Sequence, residues 1–108
     1  VKFAEEQAKK FGVRAPMVGH MGDGNFHVVL PYDPTKKEMY KQIRAFNDVL
    51  IRKALDLNGT ITGEHGVGLH KKEYLLEQHP DNIPVMKSIK RTLDPNNIMN
   101  PGKIFDLN

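Results

Sequence analysis

Cysteine is absent from the 108 residues, which excludes disulfides, thiolate metal sites and cysteine nucleophiles together. Long apolar runs are missing too. Nothing approaches the ~20 residues that cross a bilayer, and the opening residues lack a charged-then-apolar leader pattern. An excess of one charge is also lacking, since 16 Lys plus Arg against 13 Asp plus Glu leave only +3. The longest basic runs are pairs such as Lys9-Lys10 and Lys71-Lys72, expected as solvated faces rather than a phosphate track for nucleic acid. No internal repeat and no low-complexity tract occurs. What remains is a globular mixture, 39% hydrophobic and 27% charged, sufficient for a modest core in one domain spanning residues 1–108. Val1 to Gly12 reads as an element already under way, so a fragment of a larger protein is expected, with the cytoplasm as its compartment or, through an electron acceptor, the periphery of a membrane.

Apolar residues at helical spacing predict a short helix over Val1 to Phe11, stopped by Gly12. Val13 to His20 and Phe26 to Pro31 are short and Val-rich, and read as strands. Thr35 and Glu38 form a capping-box pattern ahead of a helix whose stripe is Met39, Ile43, Phe46, Leu50 and Leu57, ending at Asn58-Gly59. Thr60 to Thr62 is β-prone. Leu69 to Gln78 and Ile83 to Leu93 read as helices, the second with Val85, Met86, Ile89 and Leu93 on one face, and Asp94-Pro95 stops it. The order implies an α+β fold, with helices on one face of a small antiparallel sheet.

Met21 to Asn25 lies between the two strands, and Asp-Gly favours a two-residue type I′ turn. With Asp23 and Gly24 at its centre, His20 and His27 face each other, their Cβ atoms roughly 5 Å apart. Two imidazoles so placed can share a divalent metal. They can equally be ordinary strand residues, as Asp23 and Asn25 can be simple turn formers. Glu64-His65, in a loop with glycines at 63, 66 and 68, is the candidate source of a third ligand. A His-His-Glu set with an open position suits a catalytic metal, and the adjacent His65 is then left as a proton acceptor of the type that works near neutral pH. The same glycine loop also reads as a plain connection or an anion nest. His70 and His79 read as surface or helix-end residues.

Three segments taken together resemble one family: Gly19-His-Met-Gly-Asp-Gly-Asn-Phe-His27, Gly59-Thr-Ile-Thr-Gly-Glu-His-Gly-Val-Gly68 and Asp94-Pro-Asn-Asn-Ile-Met-Asn-Pro-Gly-Lys103. The chain is similar to the C-terminal end of the FAD-linked oxidases that include D-lactate dehydrogenase, D-2-hydroxyglutarate dehydrogenase and the flavin subunit of glycolate oxidase. The resemblance implies a ferredoxin-like cap domain, of which this chain holds about the last half, set over FAD held mainly by an N-terminal domain outside it. It implies His20, His27 and Glu64 as ligands of a divalent metal, zinc first, with manganese or iron as alternatives. His65 matches the catalytic base, and Asn100 lies in the segment that returns toward the flavin. The implied substrate is a small D-2-hydroxy acid, oxidised by loss of its hydroxyl proton to His65 and of hydride to the flavin.

Two other functions fit parts of the sequence. A metal hydrolase can use the same ligand types, although no His-Glu-x-x-His helix is present, and a small α+β domain can serve as a non-catalytic binding or assembly module. The expected partners are the 2-hydroxy acid and the FAD-binding domain, with no nucleic acid and no membrane span. An apolar patch left where neighbouring parts should pack is expected to promote self-association.

Overall fold

The computed structural model describes residues 1–108. The elements are α1 (Lys2–Phe11), β1 (Met17–Val18), a single 3₁₀ turn (Met21–Asp23), β2 (His27–Val28), α2 (Lys37–Asp56), α3 (Lys72–Gln78) and α4 (Ile83–Leu93). The fold is α+β, with one two-stranded antiparallel sheet. The chain divides into two compact units, Val1–Asn58 and Gly59–Asn108. No helix is long and apolar enough to cross a membrane.

In the first unit the spacing of Ala4 and Ala8 gives α1 a narrow apolar stripe, and both are buried where α1 packs on α2. The matching residues of α2 are Ile43, Phe46 and Ile51, all buried. Phe11 meets Phe46 edge-on, with ring centroids 6.2 Å apart. Gly12 ends α1 at φ 64°, and the Val13 N–H donates to the Ala8 carbonyl at 3.0 Å, as a Schellman cap requires. Not all of the expected α2 stripe is core, because Leu57 lies past the last turn and is 69% exposed. The capping box is also corrected. Thr35 donates its hydroxyl and its N–H to Asp33 Oδ1, at 2.7 and 3.0 Å, and α2 starts after Lys36 with no side-chain cap. Asp33 competes successfully for the hydroxyl because it lies two residues away, a local Asx geometry needing no helix. Those two bonds hold the Asp33 carboxyl below the ordinary carboxylate range.

The second unit differs more from expectation. Thr60 to Thr62 is not a strand: the Thr60 hydroxyl accepts from the Thr62 N–H at 3.1 Å and donates to the Thr62 carbonyl at 2.7 Å. A β-prone triplet with no neighbouring strand in its unit satisfies its backbone locally instead. The Ile61 N–H donates to Gln78 Oε1 at 3.2 Å and anchors the segment to α3. Helix α3 begins at Lys72 rather than Leu69, after Gly66 and Gly68 at φ 77° and 54°. Helix α4 matches its expected span, yet Val85, Ile89 and Leu93 are 60%, 56% and 76% exposed and form an open apolar stripe. Past Asp94 the tail has no regular structure. Asp94 organises its start: Oδ1 accepts from the Ile98 N–H at 3.0 Å and Oδ2 from the Met99 N–H at 2.9 Å, with the Lys90 ammonium alongside.

Two expected outcomes follow from this packing. Phe46 is fully buried, so Phe46→Ala should lower unfolding free energy by about 3–5 kcal/mol in urea titration. Asp94 has its pKa lowered, first by the Lys90 hydrogen bond and then by the two backbone N–H donors, against the opposing effect of burial. A lowered folded-state pKa means that its stabilisation is complete well above 3.8 and is lost as pH falls below that value. Urea midpoints for the natural chain and Asp94→Asn should therefore differ most at neutral pH and converge on acidification.

Candidate functional site

His20 and His27 belong to the first unit. The pairing of β1 with β2 sets Met17 opposite Val28 and Val18 opposite His27, so the expected register with His20 facing His27 is corrected. The reason is visible in the loop. Asp23-Gly24 does not form a two-residue hairpin turn; the chain leaves β1 at Gly19 and makes one 3₁₀ turn over Met21–Asp23. The His20 carbonyl accepts from the Asp23 N–H at 2.9 Å and from the Asn25 N–H at 3.2 Å, and Gly24 closes the turn at φ 78°. His20 is thus exposed at the head of the turn, and His27 is half-buried in β2. Gly19 makes this possible, because at φ 140° an added Cβ would lie 2.8 Å from the Phe26 Cα. That requirement is set by backbone seven residues away and leaves no local signature.

Glu64 and His65 lie in the second unit, both exposed in the glycine loop. Consecutive side chains on extended backbone point to opposite sides. Here Glu64 Oε1 and His65 Nε2 are 3.6 Å apart, so the loop turns both to one side. Asn100 heads the turn that ends with the Lys103 N–H donating to its carbonyl at 3.3 Å. It lines a cavity of about 230 Å³ in the tail, together with Lys90, Asn97, Met99 and Lys103. His79 caps the C-terminus of α3 and His70 is exposed, in keeping with their expected roles.

Sequence reasoning missed what holds the glycine loop. Lys9-Lys10 is a solvated pair, but Lys71-Lys72 is not: both are partly buried, and burial pushes the Lys71 ammonium pKa down. Lys72 Nζ donates to both Asp106 carboxylate oxygens, at 2.8 and 2.9 Å, and to the Gly102 carbonyl at 3.2 Å. Between those two tail contacts the Ile104 N–H donates to the Gly68 carbonyl at 2.8 Å. Ile104 sits at φ 70°, a conformation that costs a β-branched residue about 1–3 kcal/mol. Only the spacing of the lysine from an acidic tail residue could have hinted at this, and spacing alone does not pair them.

The donor types fit a divalent cation, two imidazoles and a carboxylate with no thiolate among them. The family described as FAD linked oxidases, C-terminal domain, matches residues 1–104. The chain belongs to this family. A protein named "Probable D-lactate dehydrogenase, mitochondrial" from Danio rerio is 46% identical over 96 residues, covering 88% of this chain and 19% of that protein. "Glycolate oxidase subunit GlcD" of Bacillus subtilis is 43% identical over 107 residues, covering 97% of this chain and 23% of its own length. "D-2-hydroxyglutarate dehydrogenase" of Stutzerimonas stutzeri is 42% identical over 90 residues, 81% of this chain and 19% of the relative. This FAD-linked oxidase chain therefore spans about a fifth of the length of the curated relatives it matches.

The loop geometry predicts an order of stability. Gly24→Val should cost about 1–3 kcal/mol, since Gly24 needs positive φ but has open space around an added Cβ. Gly19→Val should cost more, because it adds a backbone collision to the strain. Thermal melts should rank the natural chain first, Gly24→Val second and Gly19→Val last.

Proposed function

We propose that the chain is the substrate-side portion of an FAD-dependent dehydrogenase that oxidises a small D-2-hydroxy acid. One observation carries the reading: Glu64 and His65 turn to the same side of an exposed loop, 3.6 Å apart, within a chain of the FAD-linked oxidase family. The names of the relatives, which specify D-lactate, glycolate and D-2-hydroxyglutarate, support the substrate class.

On this reading His20, His27 and Glu64 are the ligands of a divalent cation, with zinc, manganese and iron all compatible with imidazole and carboxylate donors. When bound, the cation supplies Lewis acidity that lowers the hydroxyl pKa of the acid, and FAD, held chiefly outside these residues, accepts hydride. His65 takes the hydroxyl proton. Loss of one proton to His65 and of hydride from the α-carbon turns the hydroxy acid into the 2-oxo acid. Asn100, which lines the tail cavity, is on this reading the residue of the chain that would contact the flavin.

The test separates the two neighbours in the flavoprotein that carries this chain. Glu64→Gln should weaken metal binding, because a neutral amide donates less charge to a divalent ion. His65→Asn should keep the metal and slow flavin reduction by roughly 10²–10⁴-fold, the usual worth of a positioned base. Metal analysis with stopped-flow flavin reduction decides. Loss of metal from the His65 variant, with retention in the Glu64 variant, would reverse the two roles.

A further inference from the structure

The Gly63–Gly68 loop carries Glu64 and His65, and two glycines at positive φ leave it little stiffness of its own. It is followed by a turn in which the Lys71 N–H donates to the Val67 carbonyl at 3.3 Å, and Lys72 then opens α3. The Gly68 carbonyl receives the Ile104 N–H, so the loop's last residue is tied to the C-terminal tail. The tail in turn is gripped on both sides of Ile104 by one ammonium group, Lys72 Nζ, which holds the Gly102 carbonyl and the Asp106 carboxylate. Left-handed φ at a β-branched residue persists only where the surroundings over-determine it, and these contacts supply that determination. The Lys72 side chain is 26% exposed, so its charge is screened less than that of a surface lysine.

We propose that Lys72 is a positioning residue: with Asp106 it clasps the 102–106 tail onto Gly68 and thereby fixes the direction in which Glu64 and His65 are presented. The mechanical part stands on the contacts alone, while its consequence for turnover rests on the dehydrogenase reading. Lys72 touches neither substrate nor cofactor in this role. It acts through Gly68.

Amide exchange and backbone relaxation by NMR test the clasp without reference to activity. In Lys72→Met and in Asp106→Asn, exchange at the Ile104 and Lys71 amides should accelerate roughly tenfold. Order parameters across Gly63–Gly68 should fall from about 0.85 toward 0.6 or below, while the α4 amides keep their protection. Lys72→Arg, which retains the charge and can bond the carboxylate bidentately, should restore both values. Uniform loss of protection through α4 would mean general destabilisation and would overturn the proposal, as would unchanged exchange at Ile104. In the flavin-loaded protein, Lys72→Met should lower kcat for flavin reduction with KM little changed, and Lys72→Arg should recover it. A loosened loop with unaltered kcat would overturn the positioning role. If the loop loosens as expected but His65→Asn leaves flavin reduction intact, the clasp holds and the assignment of His65 as base fails.

Discussion

A segment without a hydrogen-bonded ladder must find donors for its carbonyls elsewhere, and in the second unit cationic side chains provide them. Lys72 holds the Gly102 carbonyl, Lys87 the Asn108 carbonyl at 3.1 Å, Lys90 the Met99 carbonyl and Arg91 the Leu107 carbonyl. Three of these cations stand on α4 and one opens α3, so two short helices organise the tail beyond Asp94. A charge-assisted bond is about twice as strong as a neutral one, which suits a segment that buries few side chains. The Ile104 contact to Gly68 then carries this order back to the loop of Glu64 and His65. The loop of Glu64 and His65 is thus tied to the tail through a backbone hydrogen bond, and the tail to the helices through these cations.

The helices were the legible part of the fold. Ala4 and Ala8 in α1, and Ile43 and Phe46 in α2, repeat at helical spacing and are buried as that spacing requires. What could not be read was anything decided by two distant pieces of backbone. Asp23-Gly24 carries the composition of a two-residue hairpin turn, but Gly19 lets the chain leave β1 early, and the His20 carbonyl then collects two N–H donors. A two-residue change in register follows, putting Val18 where His20 was expected. Thr60 to Thr62 has β-propensity, yet propensity describes how a residue suits a sheet, and that segment has no partner strand in its unit.

The site divides in the same way. Residue types were readable, because imidazole and carboxylate donors beside glycines constrain the chemistry whatever the fold. The same-side placement of Glu64 and His65 was readable only as a possibility, and Gly66 at φ 77° accompanies it. Lys72 was misread as a solvated charge because its partner, Asp106, lies 34 residues on. Such a pair has no periodic signature. A basic dipeptide says how much charge is present, not what the charge holds.

Helix α4 shows why the second unit relies on polar contacts. The buried apolar residues of this unit are Ile61, Tyr74, Leu75 and Ile83, and of these only Ile83 is on α4, whose Val85, Ile89 and Leu93 stay open to solvent. Apolar area left in water contributes nothing to folding, so a unit of this size gains less from its core than its composition suggests. The deficit is met partly by Asp94, a buried carboxylate whose two backbone donors and one ammonium partner are all satisfied. Burying a charge is tolerable only on those terms. Loss of the Asp94 carboxylate would leave the Ile98 and Met99 N–H groups and the Lys90 ammonium without that shared acceptor. In the second unit, polar satisfaction along the tail and the presentation of Glu64 and His65 are therefore one physical problem, solved by the same few cations.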